Sequence, residues 1–334
     1  MIAALNGLFR KTGLATAAGL MIAATASGAW SQDAADFPNK PVTLLVGYAA
    51  GGPSDALARI VAQKLSDLWG QPVLVENRTG ASGTIAAAAA ARAAPDGYTI
   101  AFGGSTTFVG FELLNPTKVS YKTLDDFDMI TMIADQAMVF TARADLGVKD
   151  IKGFVDLAKE KPGALNFAMS GYGSPPHLNM ELLKNQAGID LLTVPFAGSA
   201  PSSQAMLAGT VDVMMDGPLG MSTLAKEGKA VMLGVASKER VPQVPDVPTF
   251  AEQGYDIAVK SWYGMLVPKG TPKPVIDKID ADLRTAIGDD QTNTTILNAG
   301  FNRVLIGPAE FEQAIKDGQA TLKKLMDSGA VKPE

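Results

Sequence analysis

The feature that most constrains the fold is an order of segments that recurs along the chain. An apolar run leads into a loop rich in glycine, serine and proline, and the loop leads into a helix-like segment. The runs that begin this order include VTLLVGY, PVLVEN, YTIAFG, ALNFAMS, LLTVPF and VDVMMDG. Continuous apolar strands that alternate with helices are typical of a parallel sheet covered by helices on both faces. The sequence therefore predicts an α/β fold.

Length and composition narrow the class of protein. A chain of 334 residues can bury a large core and commonly forms two lobes or domains. Hydrophobic residues make up 47% of the chain and charged residues 19%, which indicates a globular protein. The net charge of -5 comes without a lysine or arginine cluster, so nucleic acid is not expected as a partner. Cysteine is absent, which excludes disulfides, thiolate metal sites and thiol nucleophiles.

The N-terminal segment has the layout of a secretory signal peptide. Arg10 and Lys11 precede the small and apolar run TGLATAAGLMIAATA, and small residues then offer cleavage after Ala26, Ala29 or Ser31. The apolar run is short for a membrane span, although an uncleaved anchor is the alternative. We therefore expect residues 1–31 to be a signal peptide and the mature protein to be exported.

Two extended apolar segments indicate where the chain passes between lobes. They are MITMIADQAMVFTAR, from Met129, and VKSWYGMLVPKGTP, from Val259. If the chain leaves the first lobe in one segment and returns in the other, the first lobe is discontinuous. We predict a first lobe of residues 37–137 plus 262–334, which ends in a helical tail, and a second lobe of residues 138–261.

The loops after the predicted strands carry signals for helix starts. Pro53 follows Gly52 and suits a first helical position, and Asp55 then lies in the first turn. Ser82 is placed to cap the alanine-rich helix, and Pro175 and Pro176 are placed to open the helix that contains His177. Helix N-termini at the carboxyl ends of strands bind small ligands in open α/β sheets. Their free N–H groups favour an anion even without a cationic side chain, so a carboxylate-sized site is predicted.

The motifs around these loops resemble the Bug family, the periplasmic solute-binding components of tripartite tricarboxylate transporters. The resemblance covers nearly all of the mature chain. It runs in order through FPNKPVTLLVGYAAGGPSD, NRTGASGT, PDGYTIAFGGSTT, KPGALNFAMSGYGSPPHL, VPFAGSAPSSQAMLAGTVDVMMDG, VPDVPTFAEQGY and SWYGMLVPKGTP. It implies a type II periplasmic-binding-protein fold, in which two α/β lobes joined by crossover strands close on an organic acid. It also implies that main-chain N–H groups, hydroxyls and bridging waters hold the ligand carboxylate.

The resemblance further implies a periplasmic receptor, not an enzyme, that needs no cofactor or metal. Its expected partners are a small carboxylate and the large and small membrane subunits of a transporter, or a sensor, and we expect a monomer. The carboxylate itself stays open between an aliphatic di- or tricarboxylate, an amino acid, a nicotinate-like acid and an aromatic acid. After GGSTT the family often has a histidine near Thr107 and Phe108, which this chain lacks.

Carried onto this chain, the resemblance places ligand contacts in loops of both lobes. The first-lobe candidates are Tyr48, Ala49, Ala50, Gly51, Gly52, Ser54, Asp55, Thr79, Gly80, Ala81, Gly83, Gly104, Ser105, Thr106 and Phe108. The second-lobe candidates are Ser170, Gly171, Tyr172, Gly173, Ser174, His177, Phe196, Gly198, Ser199, Ala200 and Asp216.

Several of these residues have a structural alternative to a ligand contact. Asp55 is expected to brace its loop, because one carboxylate repels another. Asp216 either braces a hinge or meets a ligand amine or hydroxyl. His177, the only histidine, is expected to support its loop by packing or hydrogen bonding. Aromatic residues near the loops either pack in the walls or stack on an aromatic acid; they are Tyr48, Phe108, Phe111, Tyr172 and Phe196.

The rival function is an exported hydrolase that acts on an organic acid or ester. It would require an activated nucleophile with His177 as its base, and the candidate serines are Ser54, Ser82, Ser105 and Ser174. The sequence around Ser174 does not form a nucleophile elbow, because no glycine follows the serine at the required spacing. The methionines Met206, Met214, Met215 and Met221 are expected to fill the core and not to bind a metal.

Overall fold

The computed structural model of the chain describes residues 36–196 and 198–332. The predicted signal peptide, residues 1–31, lies outside these residues. From Pro38 onward the chain forms one unit by its contacts. Within the described residues, no helix is both long enough and apolar enough to span a membrane.

Eleven strands among the described residues form two sheets. The strands are β1 Val42–Val46, β2 Val73–Asn77, β3 Thr99–Gly104, β4 Phe127–Gln136, β5 Met138–Arg143, β6 Asn166–Met169, β7 Leu192–Pro195, β8 Val213–Asp216, β9 Ala230–Ala236, β10 Ser261–Pro268 and β11 Asn302–Ile306. The first sheet has the order β11-β4-β10-β3-β1-β2, and the second has the order β7-β6-β8-β5-β9. The chain crosses from the first sheet to the second at Ala137, between β4 and β5, and returns between β9 and β10.

Helices join most of these strands. They are α1 Pro53–Trp69, α2 Thr84–Ala91, α3 Phe111–Leu114, α4 Thr123–Asp126, α5 Ile151–Glu160, α6 Pro175–Ala187, α7 Ser199–Leu207, α8 Pro218–Lys226, α9 Lys273–Ile287, α10 Asp290–Asn298 and α11 Pro308–Asp327. A π-helical segment, Thr106–Gly110, precedes α3. The predicted alternation of strand, loop and helix is confirmed in both sheets.

The predicted parallel pairing is found in part of each sheet, and the rest of each sheet is antiparallel. β1 is parallel to β2 and β3, and β6 is parallel to β7 and β8. In contrast, β10 is antiparallel to β3 and β4, β11 is antiparallel to β4, and β5 is antiparallel to β8 and β9. Parallel pairing follows from strand–helix–strand crossovers within one sheet, whereas β5 and β10 enter their sheets directly from the other one.

The predicted helix starts are confirmed at two of three positions. Pro53 opens α1 after Gly52, and Pro175 opens α6, where the Ser174 side chain accepts a bond from the His177 N–H. Ser82 does not cap α2, because Gly83 is the N-cap. Ser82 instead lies in a left-handed turn at φ +54°, whereas a capping serine normally has an extended backbone.

Aromatic and methionine side chains fill the cores. On the second sheet, the Phe140 and Phe154 ring centroids are 4.9 Å apart in an edge-to-face arrangement. On the first sheet, Phe108 is buried and its ring centroid lies 5.5 Å from that of Phe127. The methionines expected to fill the core are all buried; they are Met206, Met214, Met215 and Met221.

Candidate ligand-binding site

A cavity of about 450 Å³ lies where loops and strand ends of both sheets meet. This volume falls in the range of small-molecule sites in proteins. From the elements of the first sheet it is lined by Tyr48, Ala49, Ala50, Gly51, Gly52, Pro53, Ser54, Gly104, Thr106, Gln136, Ser261 and Tyr263. From the elements of the second sheet it is lined by Met138, Ser170, Pro175, Pro176, Gly198, Ser199, Ala200, Pro201, Ser203, Asp216 and Gly220.

Half of the predicted site residues line this cavity, and they come from both predicted lobes. They are Tyr48, Ala49, Ala50, Gly51, Gly52, Ser54, Gly104, Thr106, Ser170, Gly198, Ser199, Ala200 and Asp216. The structure brings these residues together, although they are spread over 169 positions of the chain, from Tyr48 to Asp216.

Sequence reasoning missed the part of the lining that comes from the crossing strands. Gln136 ends β4, Met138 begins β5, and Ser261 and Tyr263 lie in β10. The sequence carries a signal for them, because the two apolar segments that contain these residues are predicted to pass between lobes. A cleft between two lobes must be floored by the strands that join them.

The remaining predicted residues lie outside the lining. They are Asp55, Thr79, Gly80, Ala81, Gly83, Ser105, Phe108, Gly171, Tyr172, Gly173, Ser174, His177 and Phe196. Phe108 differs most from its expected place at the ligand, because only 1% of it is exposed and it packs in the core with Phe127. An apolar ring gains more from this burial than from a place at a polar cavity wall.

Asp55 braces the first loop, as the sequence predicts. Its carboxylate accepts bonds from Gly51 N at 2.9 Å, from Arg59 Nε at 2.9 Å and from Asn77 Nδ2 at 2.9 Å. Asn77 also donates to the Tyr48 carbonyl at 2.9 Å. Burial raises the pKa of Asp55, but the bonds from Arg59, Gly51 and Asn77 outweigh burial and hold the pKa below its ordinary value. The brace fixes Gly51, whose φ of +82° favours glycine.

The turn at residues 80–83 supports Tyr48 from behind. The Ser82 carbonyl accepts bonds from the Tyr48 hydroxyl at 3.1 Å and from Thr107 Oγ1 at 2.8 Å. Four successive residues of this turn, Gly80 to Gly83, have positive φ. A glycine is needed at position 83, because a Cβ there would lie 2.5 Å from Thr107 Oγ1.

His177 supports the loop that precedes α6. Its Nδ1 accepts a bond from Gly173 N at 3.2 Å, and its ring lies edge-to-face with Tyr172, with centroids 5.5 Å apart. The Ser174 hydroxyl donates to the Gly171 carbonyl at 2.7 Å. The Ser174 hydroxyl proton is therefore committed to the Gly171 carbonyl and its oxygen to capping α6.

The charge of the lining is unusual for an anion site. Among the described residues that line the cavity there is no lysine, arginine or histidine, and Asp216 is the one acidic residue. Burial raises the pKa of Asp216, although bonds from the Ser199 side chain and from Gly217 N oppose the shift. Burial also raises the pKa of Tyr48 and of Tyr263, so both hydroxyls are neutral hydrogen-bond donors at neutral pH.

Helix starts supply the other polar groups. The N-termini of α1 and α7 reach the cavity through Ser54 and through Ser199 and Ala200, and the first N–H groups of a helix lack partners inside the helix. At α6 the lining residues are Pro175 and Pro176, which have no N–H and form an apolar wall. Within residues 36–196 and 198–332, no cluster of three or more His, Cys, Asp or Glu residues could hold a metal ion.

Comparison with known proteins identifies the family. The model of the tripartite tricarboxylate transporter family receptor matches residues 57–330. A UPF0065 protein from the tcbD-tcbE intergenic region of Pseudomonas sp. (strain P51) is 38% identical over 315 residues, which cover 92% of each chain. Protein BugT of Bordetella pertussis is 30% identical over 307 residues, which cover 92% of this chain and 94% of BugT.

Solved structures agree with this match. Rpa4515 of R. palustris, solved with adipate, has a TM-score of 0.85 at 28% identity and covers 90% of this chain and 100% of its own. MatC from Rhodopseudomonas palustris, with bound malate, has a TM-score of 0.79 at 32% identity, covering 86% of this chain and 99% of its own. The periplasmic binding protein BugD has a TM-score of 0.79 at 31% identity, covering 89% of this chain and 100% of its own. The predicted type II periplasmic-binding-protein fold is thereby confirmed, and the chain belongs to the receptor family of tripartite tricarboxylate transporters, which includes the Bug proteins.

Proposed function

We propose that this chain is an exported receptor that captures a small carboxylate between two lobes and presents it to a membrane transporter. The first lobe is built on the first sheet, residues 37–137 plus 262–334, and the second on the second sheet, residues 138–261. The observation that carries the proposal is the cavity that receives loops from both sheets and is lined by hydroxyls and helix starts. The relatives solved with adipate and malate support a carboxylate ligand.

Neutral donors are sufficient to hold one carboxylate in such a site. Hydrogen bonds to an ionised acceptor contribute about 1.5–3 kcal/mol each, and their strength increases in a closed cavity of low dielectric constant. Ser54 and Ser170 supply hydroxyls, and the helix starts supply main-chain N–H groups. The carboxylate therefore needs no arginine, because these neutral donors replace the water that it loses when the lobes close.

The proposed partners are those that the family implies. The loaded receptor delivers its ligand to the large and small membrane subunits of a tripartite tricarboxylate transporter, or to a sensor that recognises the same closed form. The signal peptide proposed for residues 1–31 directs the protein to the periplasm. Recovery of the tagged protein in the cytoplasm after osmotic shock would contradict this location.

A thermal-shift screen with a panel of carboxylic acids and neutral sugars tests the function. An acid at about 100 times its dissociation constant should stabilise the protein by about 2.7 kcal/mol. Stabilisation by a neutral sugar alone, with no response to any acid, would refute the carboxylate receptor.

A matched pair of glycine variants tests the site. Gly51 and Gly147 have φ values of +82° and +79°, and an added Cβ meets no heavy atom within 4 Å at either position. Alanine at either position costs about 1–2 kcal/mol of backbone strain. Gly51→Ala should weaken acid binding about tenfold or more, whereas Gly147→Ala, away from the cavity, should lower stability without changing affinity. Equal affinity in the two variants would remove the first loop from the site.

A further inference from the structure

Asp216 places a carboxyl group in a cavity that is proposed to bind an anion. Among the described residues of the lining it is the one acidic residue, and none of them is basic. The other polar members are hydroxyls of serine, threonine and tyrosine and the amide of Gln136. A ligand that fills the cavity therefore meets one carboxylate and no cationic side chain to balance it.

The structure holds Asp216 at a fixed place. It ends β8, where it pairs with Val139 of β5. Its Oδ1 accepts a bond from Gly217 N at 2.7 Å, and the Ser199 side chain, at the start of α7, also bonds to it. A carboxylate has about four acceptor positions, so two donors leave acceptor capacity for a group in the cavity.

Because Asp216 is buried, its free acceptor positions affect which ligands bind well. An ionised carboxylate that loses water without gaining donors is costly, and the raised pKa of Asp216 reflects this cost. A plain dicarboxylate makes the cost larger, because its own charge lies in the same 450 Å³ space. A ligand hydroxyl or ammonium group reduces the cost, because it donates a charge-assisted hydrogen bond.

We propose that Asp216 accepts a hydrogen bond from the ligand, so that the cavity selects carboxylates that carry a hydroxyl or ammonium group over plain acids of the same skeleton. This inference rests on the proposed carboxylate-binding function. The family does not decide it, since the relatives solved with ligands hold adipate, a plain dicarboxylate, and malate, a hydroxy acid.

Three series of acids test the selection by isothermal titration calorimetry. The first is succinate, L-malate and L-aspartate, the second glutarate, L-2-hydroxyglutarate and L-glutamate, and the third 4-methylbenzoate, 4-(hydroxymethyl)benzoate and 4-(aminomethyl)benzoate. Within a series the carbon skeleton is constant and only the donor group changes. Comparing the hydroxyl and ammonium members therefore shows which of the two groups donates the hydrogen bond to Asp216. In at least one series we expect a donor-bearing member to bind about tenfold or more tightly than the plain acid, the effect of one charge-assisted hydrogen bond.

The Asp216→Asn variant tests the assignment to this residue. The amide retains an acceptor for Gly217 N but removes the charge, so the preference for the ammonium member should fall about tenfold and the preference for the hydroxyl member by less. Asp246→Asn, which removes a charge from an exposed position, should leave both preferences unchanged. Circular dichroism of the free variants checks that each is folded.

Three outcomes would overturn the inference. The first is a plain acid that binds as tightly as its donor-bearing relatives in every series. The second is a donor preference in the wild type that Asp216→Asn leaves unchanged. The third, binding of no acid in any series or in the wider panel, would overturn the proposed function itself and is distinguished from the first two by the absence of any acid complex.

Discussion

The close contact between Gly110 and Gly173 gives a direct test of how the two halves of the molecule fit together. Gly110 ends the π-helical segment that follows β3 of the first sheet, and Gly173 lies in the loop between β6 and α6 of the second. An ideal Cβ on Gly110 would lie 1.9 Å from the Gly173 carbonyl oxygen and 2.6 Å from its carbon. Gly110 has a φ of -66°, so space and not backbone strain requires glycine here.

The expected magnitude follows from this distance. A Cβ stays at least 3.0 Å from other heavy atoms. Gly110→Ala therefore forces the two backbones apart by more than a well-packed interior can accommodate without strain. Overpacking of this kind costs about 1–3 kcal/mol. Because moving the two sheets apart relieves the clash, we expect the cost to fall on the closed, ligand-bound form of the proposed receptor. Affinity for the tightest-binding acid of the panel should therefore fall by about 5- to 150-fold.

Calorimetric titration of Gly110→Ala with that acid, together with melting curves of the free protein, measures the effect. Gly318→Ala is the matched control, since its nearest contact would be Val109 Cγ1 at an ordinary 3.7 Å. Alanine is also more favourable than glycine in the interior of helix α11. This variant should therefore be at least as stable as the wild type, and its affinity for the acid should not change. Wild-type affinity and wild-type melting in Gly110→Ala would refute the contact. A lower melting temperature with unchanged affinity would show that the contact is equally close with and without ligand.

Three further predictions concern residues that support the cavity. Asp55→Asn should lower the free energy of unfolding by about 1–3 kcal/mol at neutral pH, measured by urea unfolding. Because folding lowers the pKa of Asp55, the difference from wild type should shrink as the pH falls below the ordinary value of 3.8. A difference that stays constant with pH would contradict the brace. His177→Ala should weaken acid binding only modestly through the Gly173 loop, and ester hydrolysis by the wild type that this variant abolishes would favour the rival hydrolase. Phe108→Leu should lower the melting temperature through lost core packing and leave the ranking of acids unchanged, whereas a changed ranking would place the ring at the ligand.

The sequence predicts strands, helix starts and the cavity loops well where a local signal fixes the backbone. A proline after a glycine sets the start of α1, and the acidic residue two positions later braces the loop before it. These are interactions between residues close in sequence, and they need no knowledge of the rest of the fold. The burial of the methionines around β8 follows from side-chain type, because a long apolar side chain is stabilised in the core.

The missed features depend on contacts between distant segments. The direction of β5 and β10 is set by the sheet each strand enters and not by its own residues, and β9 and β11 were not predicted. The π-helical turn at residues 106–110 decides whether the Phe108 ring points into the cavity or packs against Phe127. No residue pattern in the sequence indicates this turn. Gln136 and Tyr263 line the cavity because their strands lie side by side in the first sheet, although 127 residues separate them.

A cavity wall without lysine or arginine also bears on how binding responds to salt. Mobile ions weaken attraction between exposed charges over a Debye length of about 8 Å at physiological ionic strength, but they have little effect on short bonds from neutral hydroxyl and amide groups inside a cavity. With no cationic side chain among the described lining residues, affinity for the acid should change little between dilute and concentrated buffer. Such tolerance suits the periplasmic location that we propose, because the ionic strength there follows that of the surrounding medium.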